Sequence, residues 1–182
     1  MGKLTTKEME HLIYRAIWKQ GQYACFEVKM PDERGTYFYN NERVDLLAFE
    51  IHGGFEPDKG IWRMYELKLT KSDFHSDNKI TFLGHYNYYV MPYELYEKVK
   101  DEIPDWVGVY CIHTNKWGTR SCHLEKKPKK QKLKVNHLSL MFSLLQSLSR
   151  ENQKYRRLLY DEFKGKETEG DSCKDWTLDN IE

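Results

Sequence analysis

Two carboxylates and a lysine stand out in this chain because of the company they keep. The segment 62–70, Trp-Arg-Met-Tyr-Glu-Leu-Lys-Leu-Thr, is rich in aromatic, branched and apolar residues and reads as a β-strand, yet Glu66 and Lys68 interrupt it. Strand side chains alternate with a period of two, so Glu66 and Lys68 share one face while Tyr65, Leu67 and Leu69 share the other. The preceding apolar run, residues 44–49, contains a single acid, Asp45. Charge is costly to bury without a partner or a metal, so two apolar strands that each hold a carboxylate need a compensating cation. A divalent ion held between Asp45 and Glu66, with the Leu67 carbonyl between Glu66 and Lys68, would supply it. Hard oxygen ligands with open water positions suit Mg²⁺ or Mn²⁺. Lys68 could then orient or polarise a water while the ion stabilises charge on a phosphate. The competing reading is a same-face Glu–Lys ion pair on an exposed strand, worth little to stability.

The elements around these residues follow from pattern. Thr5-Thr6-Lys7-Glu8 forms a capping box, and Met9, Leu12, Ile13, Ala16 and Ile17 recur at helical spacing up to a stop at Gly21. Glu10 lies on the flank of that apolar stripe, facing a cleft or water. Strands are expected over 23–29, from about 43, through 62–70, over 86–91 and 106–113, and over 120–124, with a turn at 31–35 and a loop at 52–60. The strands carrying Asp45 and Glu66 then form an antiparallel hairpin. Residues 71–79 read as a capped turn leading into a short helix that ends near Gly84, and 93–102 as a helix stopped by Pro104. Strands that do not alternate regularly with helices predict a mixed sheet flanked by helices. Six lysines and one proline in 126–134 read as an exposed, mobile connector, 135–163 as a helix, and the acidic stretch from Gly165 as a disordered tail. That helix could fold back on the domain or pair with a second copy.

Net charge is +1, but its distribution is uneven: −4 over 1–114, +10 over 115–166 and −5 over 167–182. The basic third quarter fits a polyanion partner or a solvated face. Lys71, His75 and Lys79 follow the Glu66 strand and are candidate phosphate contacts, beside the alternative of solvated residues capping a helix. Tyr86, Tyr88 and Tyr89 offer stacking surface, with at least one of them in the core. The four scattered cysteines and the polar opening, unlike a signal peptide, fit a reducing cytoplasm, and no stretch is long and apolar enough to span a bilayer. Cys111, His113, Cys122 and His123 lack the tight spacing of a structural zinc site, and free thiols are the expectation. Asp73 and Asp77 read as caps or lysine partners rather than ligands. Neither a Ser-His-Asp arrangement nor a phosphate-cradling glycine loop is present.

The order of Glu10 on a helix, then Asp45, then Glu66-Leu67-Lys68 on hairpin strands resembles the PD-(D/E)xK nuclease superfamily. Glu10 with Leu12-Ile13, Trp18 to Gly21 and Val44 to Ala48 is similar to archaeal-type Holliday junction resolvases. Arg43 to Ala48, Tyr65 to Lys68, Ser72 to Lys79, Tyr88 to Pro92 and Val107 to Val109 resemble MmcB-like DNA-repair nucleases more closely. Val44 stands where the superfamily name has Pro. The resemblance covers roughly residues 5–125 and implies a restriction-endonuclease-like α/β core. It also implies a metal-dependent phosphodiesterase acting on DNA, with Asp45, Glu66 and the Leu67 carbonyl on the metal and Lys68 assisting the nucleophilic water. Glu10 would complete the site, with Glu27 as the alternative acid.

The expectation is therefore a nuclease-like domain over 1–125 and, over 126–182, a basic linker, helix and acidic tail. The function expected is a Mg²⁺- or Mn²⁺-dependent deoxyribonuclease, more endonuclease than exonuclease and structure-selective, in repair, recombination or phage DNA metabolism. Lys126, Lys127, Lys129 and Lys130 are candidate DNA contacts, and resolvases of the similar branch act as dimers, so a homodimer is compatible. The alternative is a non-cleaving DNA-binding or regulatory protein that keeps the fold.

Overall fold

The computed structural model describes residues 2–18, 22–31, 42–51, 59–76 and 82–164, with side chains as far as residue 160. The expected turn at 32–35, most of the 52–60 loop, the end of the short helix before Gly84, and the tail from Gly165 lie outside the described residues.

Six strands form one mixed sheet flanked by helices, an α/β architecture with a long C-terminal helix. The order is α1 (Thr6–Ile17), β1 (Gln22–Lys29), β2 (Arg43–Glu50), β3 (Ile61–Leu67), α2 (Lys71–Phe74), β4 (Tyr86–Pro92), α3 (Tyr93–Val99), β5 (Gly108–Thr114), β6 (Arg120–Lys126) and α4 (His137–Lys164). A 3-10 turn over Lys100–Glu102 extends α3. Each strand pairs with its sequence neighbour: β1–β2 and β2–β3 antiparallel, β3–β4 and β4–β5 parallel, β5–β6 antiparallel. Parallel neighbours need crossovers, which α2 and α3 begin, and β4 is apolar almost throughout because both of its faces are covered.

Period two sorts the core into two layers. Met9, Ile13 and Ile17 of α1 pack on Leu46, Ala48, Tyr65, Leu67, Tyr88, Val90 and Ile112. On the other face, Leu95 and Val99 of α3 pack with Tyr89, Met91, Val109 and Cys111. Thr5 caps α1 by accepting the Glu8 amide at 3.3 Å, but the expected reciprocal arm is absent: the Glu8 carboxylate instead pairs with Arg120 at the start of β6.

The segment 126–134 is not the exposed, mobile connector expected from its lysines. It is a strap fastened by backbone bonds: the amides of Lys129, Gln131 and Lys134 donate to the carbonyls of Trp106 (3.1 Å), His85 (2.8 Å) and Leu83 (3.3 Å). Gly108 makes room for it, since a Cβ there would lie 2.7 Å from the Tyr88 ring and 2.9 Å from Pro128 Cδ. The strap leads into α4, whose first turns are held by the fully buried Trp62. The Trp62 indole N–H donates to His137 Nδ1 at 2.9 Å and its backbone N–H to His85 Nδ1 at 3.0 Å. Both donors are obligatory, so both imidazoles carry their proton on Nε2.

The chain divides into compact units 1–147 and 148–182, so the strap and the opening turns of α4 fall in the first unit. In the second unit, Glu151 accepts from both Arg150 and Lys154 at 2.9 Å. Among the described residues no helix is long and apolar enough to cross a membrane.

Candidate active site

The β2–β3 ladder stops at Leu46 and Tyr65. One residue further, Asp45 and Glu66 would face each other; instead the strands part, and the Leu67 amide donates to Asp45 Oδ2 at 2.7 Å. A side-chain oxygen thus replaces the missing backbone partner. A strand residue's amide and carbonyl point to the same side, which turns the Leu67 carbonyl toward the same gap. Glu66 and Lys68 lie on the face away from α1, as their alternation with Tyr65 and Leu67 requires. Lys68 continues the edge, its amide donating to the Val90 carbonyl at 2.9 Å.

α2 completes this corner. Thr70 Oγ1 accepts the Asp73 amide at 3.1 Å while Asp73 Oδ2 accepts the Leu69 amide at 2.9 Å, a reciprocal cap. The other Asp73 oxygen lies 3.8 Å from Lys68 Nζ. Asp73 therefore both caps and pairs, which were the two roles its position offered. Only 4 % of Lys68 and 8 % of Glu66 is exposed, so this charge cluster sits almost out of water.

The electrostatics follow from that burial. Glu66 is pushed up to about 8, first by burial and next by the charge of Asp45; Lys68 pulls the other way, and a carboxyl–carboxyl hydrogen bond to Asp45 raises it further. Asp45 is also raised, by burial above all, with the Leu67 amide and Lys68 opposing and Glu27 and Asp73 adding to the rise. Glu10 is raised by burial and then by Glu27 and Asp45. So α1 brings Glu10, and β1 brings Glu27, into the field of Asp45, and the choice between the two becomes a question of geometry. Glu10 is half-buried. Glu27 is exposed and lies 3.7 Å from Arg43, but it holds a left-handed backbone, φ 53°, where its strand should pair with Asp45. A non-glycine residue in that region costs on the order of 1–3 kcal/mol, and such strain collects at functional sites.

Tyr89 is a neighbour that sequence reasoning did not place here. It sits beside Glu66 in the parallel register, and burial followed by the Glu66 charge raises its phenol to about 12. No local signal could give this, because β3 and β4 meet only through a crossover. Tyr88 is buried and stacks on Tyr65 at 4.8 Å, and Tyr86 carries the Arg63 guanidinium over its ring at 4.8 Å. None of the three tyrosines stands clear as a base platform.

The basic candidates separate. Lys71 is exposed on the first turn of α2, three residues from Lys68. His75 is engaged by Glu102 at 2.6 Å, and Lys79 lies outside the described residues. Lys126 directs its ammonium to the carbonyls of Ile103 (3.1 Å) and Pro104 (2.9 Å). Lys127, Lys129 and Lys130 are exposed on the strap, with Lys129 3.5 Å from Asp105. The strap crosses the starts of β4 and β5, whereas Glu66 and Lys68 stand at the end of β3. In the strand register the start of β4, Tyr86, aligns with Arg63, three residues before Glu66 and roughly 10 Å along the strand. Cys111 and Cys122 face opposite sides of the sheet, both as free thiols, so no zinc cluster forms between them.

No three His, Cys, Asp or Glu side chains gather to hold a metal among the described residues. The donor set at the gap is two carboxylates and one carbonyl. That fits Mg²⁺ or Mn²⁺, since Mg²⁺ characteristically takes one or two carboxylates and completes its shell with water and phosphate oxygens. The local charge supports the fit: Asp45, Glu66 and Asp73 surround one buried ammonium, and burial with mutual repulsion raises Asp45 and Glu66. No protein-family model, curated protein or solved structure matches the chain.

Proposed function

We propose that the chain is a divalent-cation-dependent deoxyribonuclease whose site is the gap where β2 and β3 part. The observation that carries this reading is the parting of β2 and β3 at Asp45 and Glu66, where the Leu67 amide bonds Asp45 Oδ2 at 2.7 Å beside the buried Lys68. Asp45 and Glu66 are the residues that would hold Mg²⁺ or Mn²⁺, with the Leu67 carbonyl. The ion, when bound, supplies charge stabilisation for the phosphate and a water of lowered pKa.

The remaining steps belong to the chain. With both carboxyls ionised, Asp45 and Glu66 form a dianionic cradle. Asp45 stays aligned because its Oδ2 is already bonded to the Leu67 amide at 2.7 Å, leaving Oδ1 for other work. Asp73, bonded to the Leu69 amide at 2.9 Å, restrains the Lys68 ammonium from the far side. Lys68 can then donate to an attacking water or to a phosphate oxygen as charge accumulates there, an interaction strengthened by the absence of competing solvent. Glu10 and Glu27 stand outside the cradle, where either can accept a proton from water. In the hydrolysis, water oxygen bonds to phosphorus, the bond from phosphorus to one sugar oxygen breaks, and that oxygen leaves with a proton.

The deciding experiment incubates supercoiled plasmid, single-stranded DNA and a branched junction with Mg²⁺, Mn²⁺ or EDTA. Lys68→Ala and Glu66→Gln are purified alongside. Products that need the cation and fall at least ~100-fold in both variants support the reading, the size expected for losing a charge-stabilising group. Salt-sensitive binding without cleavage would replace it by the non-cleaving DNA-binding reading. The absence of both would make the acids structural.

A further inference from the structure

The β5–β6 hairpin displays an indole to solvent at the end of the sheet where the acids stand. Trp117 is 78 % exposed, and its sequence neighbours from Asn115 to Ser121 are polar or glycine. The turn that carries it is firmly built. Asn115 Oδ1 accepts the amides of Trp117 (3.0 Å) and Thr119 (2.9 Å). The Asn115 amide donates to the Thr119 carbonyl at 2.9 Å, the Gly118 amide to the Asn115 carbonyl at 3.0 Å, and Gly118 takes φ 84°. Lys116 Nζ lies 4.4 Å from the indole centroid and covers one face of the ring.

The placement is fixed twice over. Leu67 aligns with Val90 and Val90 with Tyr110, so Thr114 lies four residues beyond the level of the gap, two strands away. At strand spacings this sets the tip roughly 15–20 Å from Glu66, about five base-pair rises of DNA. Arg120, at the foot of the hairpin, bonds the Glu8 carboxylate and the Gly2 carbonyl, which braces it to α1 two residues before Glu10.

We propose that this tip is a stacking post for an unpaired nucleobase, with Trp117 offering its open face and Lys116 meeting the adjoining phosphate. The inference rests on the deoxyribonuclease reading above and names its substrate class: DNA with unstacked bases beside the cleavage point, as in forks and single strands. An apolar protein partner fits less well, because the residues flanking the indole in the hairpin, Asn115 to Ser121, are polar or glycine. A base needs only a flat π-face and a nearby cation.

The test uses the full chain and fluorescein-labelled single-stranded, forked and blunt duplex oligonucleotides. Binding is measured by anisotropy in EDTA, so it does not depend on cleavage, and cleavage is followed separately with Mn²⁺. Trp117→Ala should weaken single-stranded and forked binding about 5- to 100-fold, the range for one lost stacking contact. Trp117→Phe should recover most of the loss, and blunt duplex binding should be unchanged. An unchanged melting temperature in both variants confirms that only the surface has altered. Equal losses on all three DNAs, or none, would overturn the stacking post. If Mn²⁺-dependent cleavage persists in that case, the deoxyribonuclease reading survives alone. If the parent chain binds none of the three DNAs, both readings fall together.

Discussion

Replacing Glu66 by Gln removes a carboxyl that titrates near 8 in the folded chain, against an ordinary value of 4.5. Below pH 4.5 the group is protonated whether the chain is folded or not, and the folded state has its full advantage. Between 4.5 and about 8 the unfolded chain releases the proton while the folded chain keeps it. Stability therefore falls as pH rises, at ~1.4 kcal/mol per pH unit for one fully coupled proton. Above about 8 the loss is complete and the curve is flat. The whole interval sets an upper limit on the order of 5 kcal/mol. The interaction with Asp45 brings the expected loss to about 3 kcal/mol, since each acid relaxes as the ionisation of the other changes. For a chain this size, 1 kcal/mol moves the melting temperature by ~2–4 °C. In EDTA the parent chain should thus melt roughly 10 °C lower at pH 8.5 than at pH 5 from this source, and Glu66→Gln should flatten that part of the slope. Mn²⁺ takes the place of the proton, so it should raise the parent's melting temperature more at pH 8 than at pH 6, and have little effect on the variant. Parallel melting curves for parent and variant across pH 5–9 would refute the raised Glu66 carboxyl and the electrostatic argument built on it.

Glu27→Gly should raise stability by about 1 kcal/mol in chemical denaturation, because glycine takes φ 53° without strain. The same change should lower cation-dependent cleavage if Glu27 rather than Glu10 serves the site, and Glu10→Gln provides the comparison. Asp45→Asn keeps an oxygen for the Leu67 amide and should cost little stability, whereas Asp45→Ala orphans that amide and should cost ~1–3 kcal/mol; neither variant should cleave. Burial, then the charges of Lys130 and His137, hold His85 below its ordinary value. Stability from this group is therefore present above the ordinary histidine range and lost as pH falls through the lowered one. Trp62 emission should shift red on acidification as the His85 acceptor is lost, and His85→Phe should remove that response.

Much of the fold was legible because its patterns are local. The alternation across 62–70 sorted Tyr65 and Leu67 from Glu66 and Lys68 correctly, and the Asp45 and Glu66 strands pair antiparallel as expected. The mixed sheet was readable from strands that fail to alternate with helices. What escaped depends on contacts far apart in sequence. Six lysines in 126–134 looked solvated, and their side chains mostly are, but the backbone beneath them is bonded to Leu83, His85 and Trp106. Composition describes side chains and is silent about where a backbone amide finds its acceptor. Tyr89 reached Glu66 through a parallel register, and the left-handed turn of Glu27 has no signature in a residue that rarely adopts it. Asp73, a helical turn from Asp77, was read as a cap or lysine partner, and it is both.

The spatial order of the strands is also their order in the chain. During synthesis each new strand can be laid against the one before it, and none has to insert between two that are already paired. Every residue of the acidic gap lies within the first 89 residues, so the cradle and its walls can form before β5 leaves the ribosome. The strap and the first turn of α4 emerge later and close across strands laid down much earlier, with Trp62 and His137 separated by 75 residues. Assembly of this unit thus runs from the acidic gap outward, and a late event is a clasp fastened at the opposite end of the sheet.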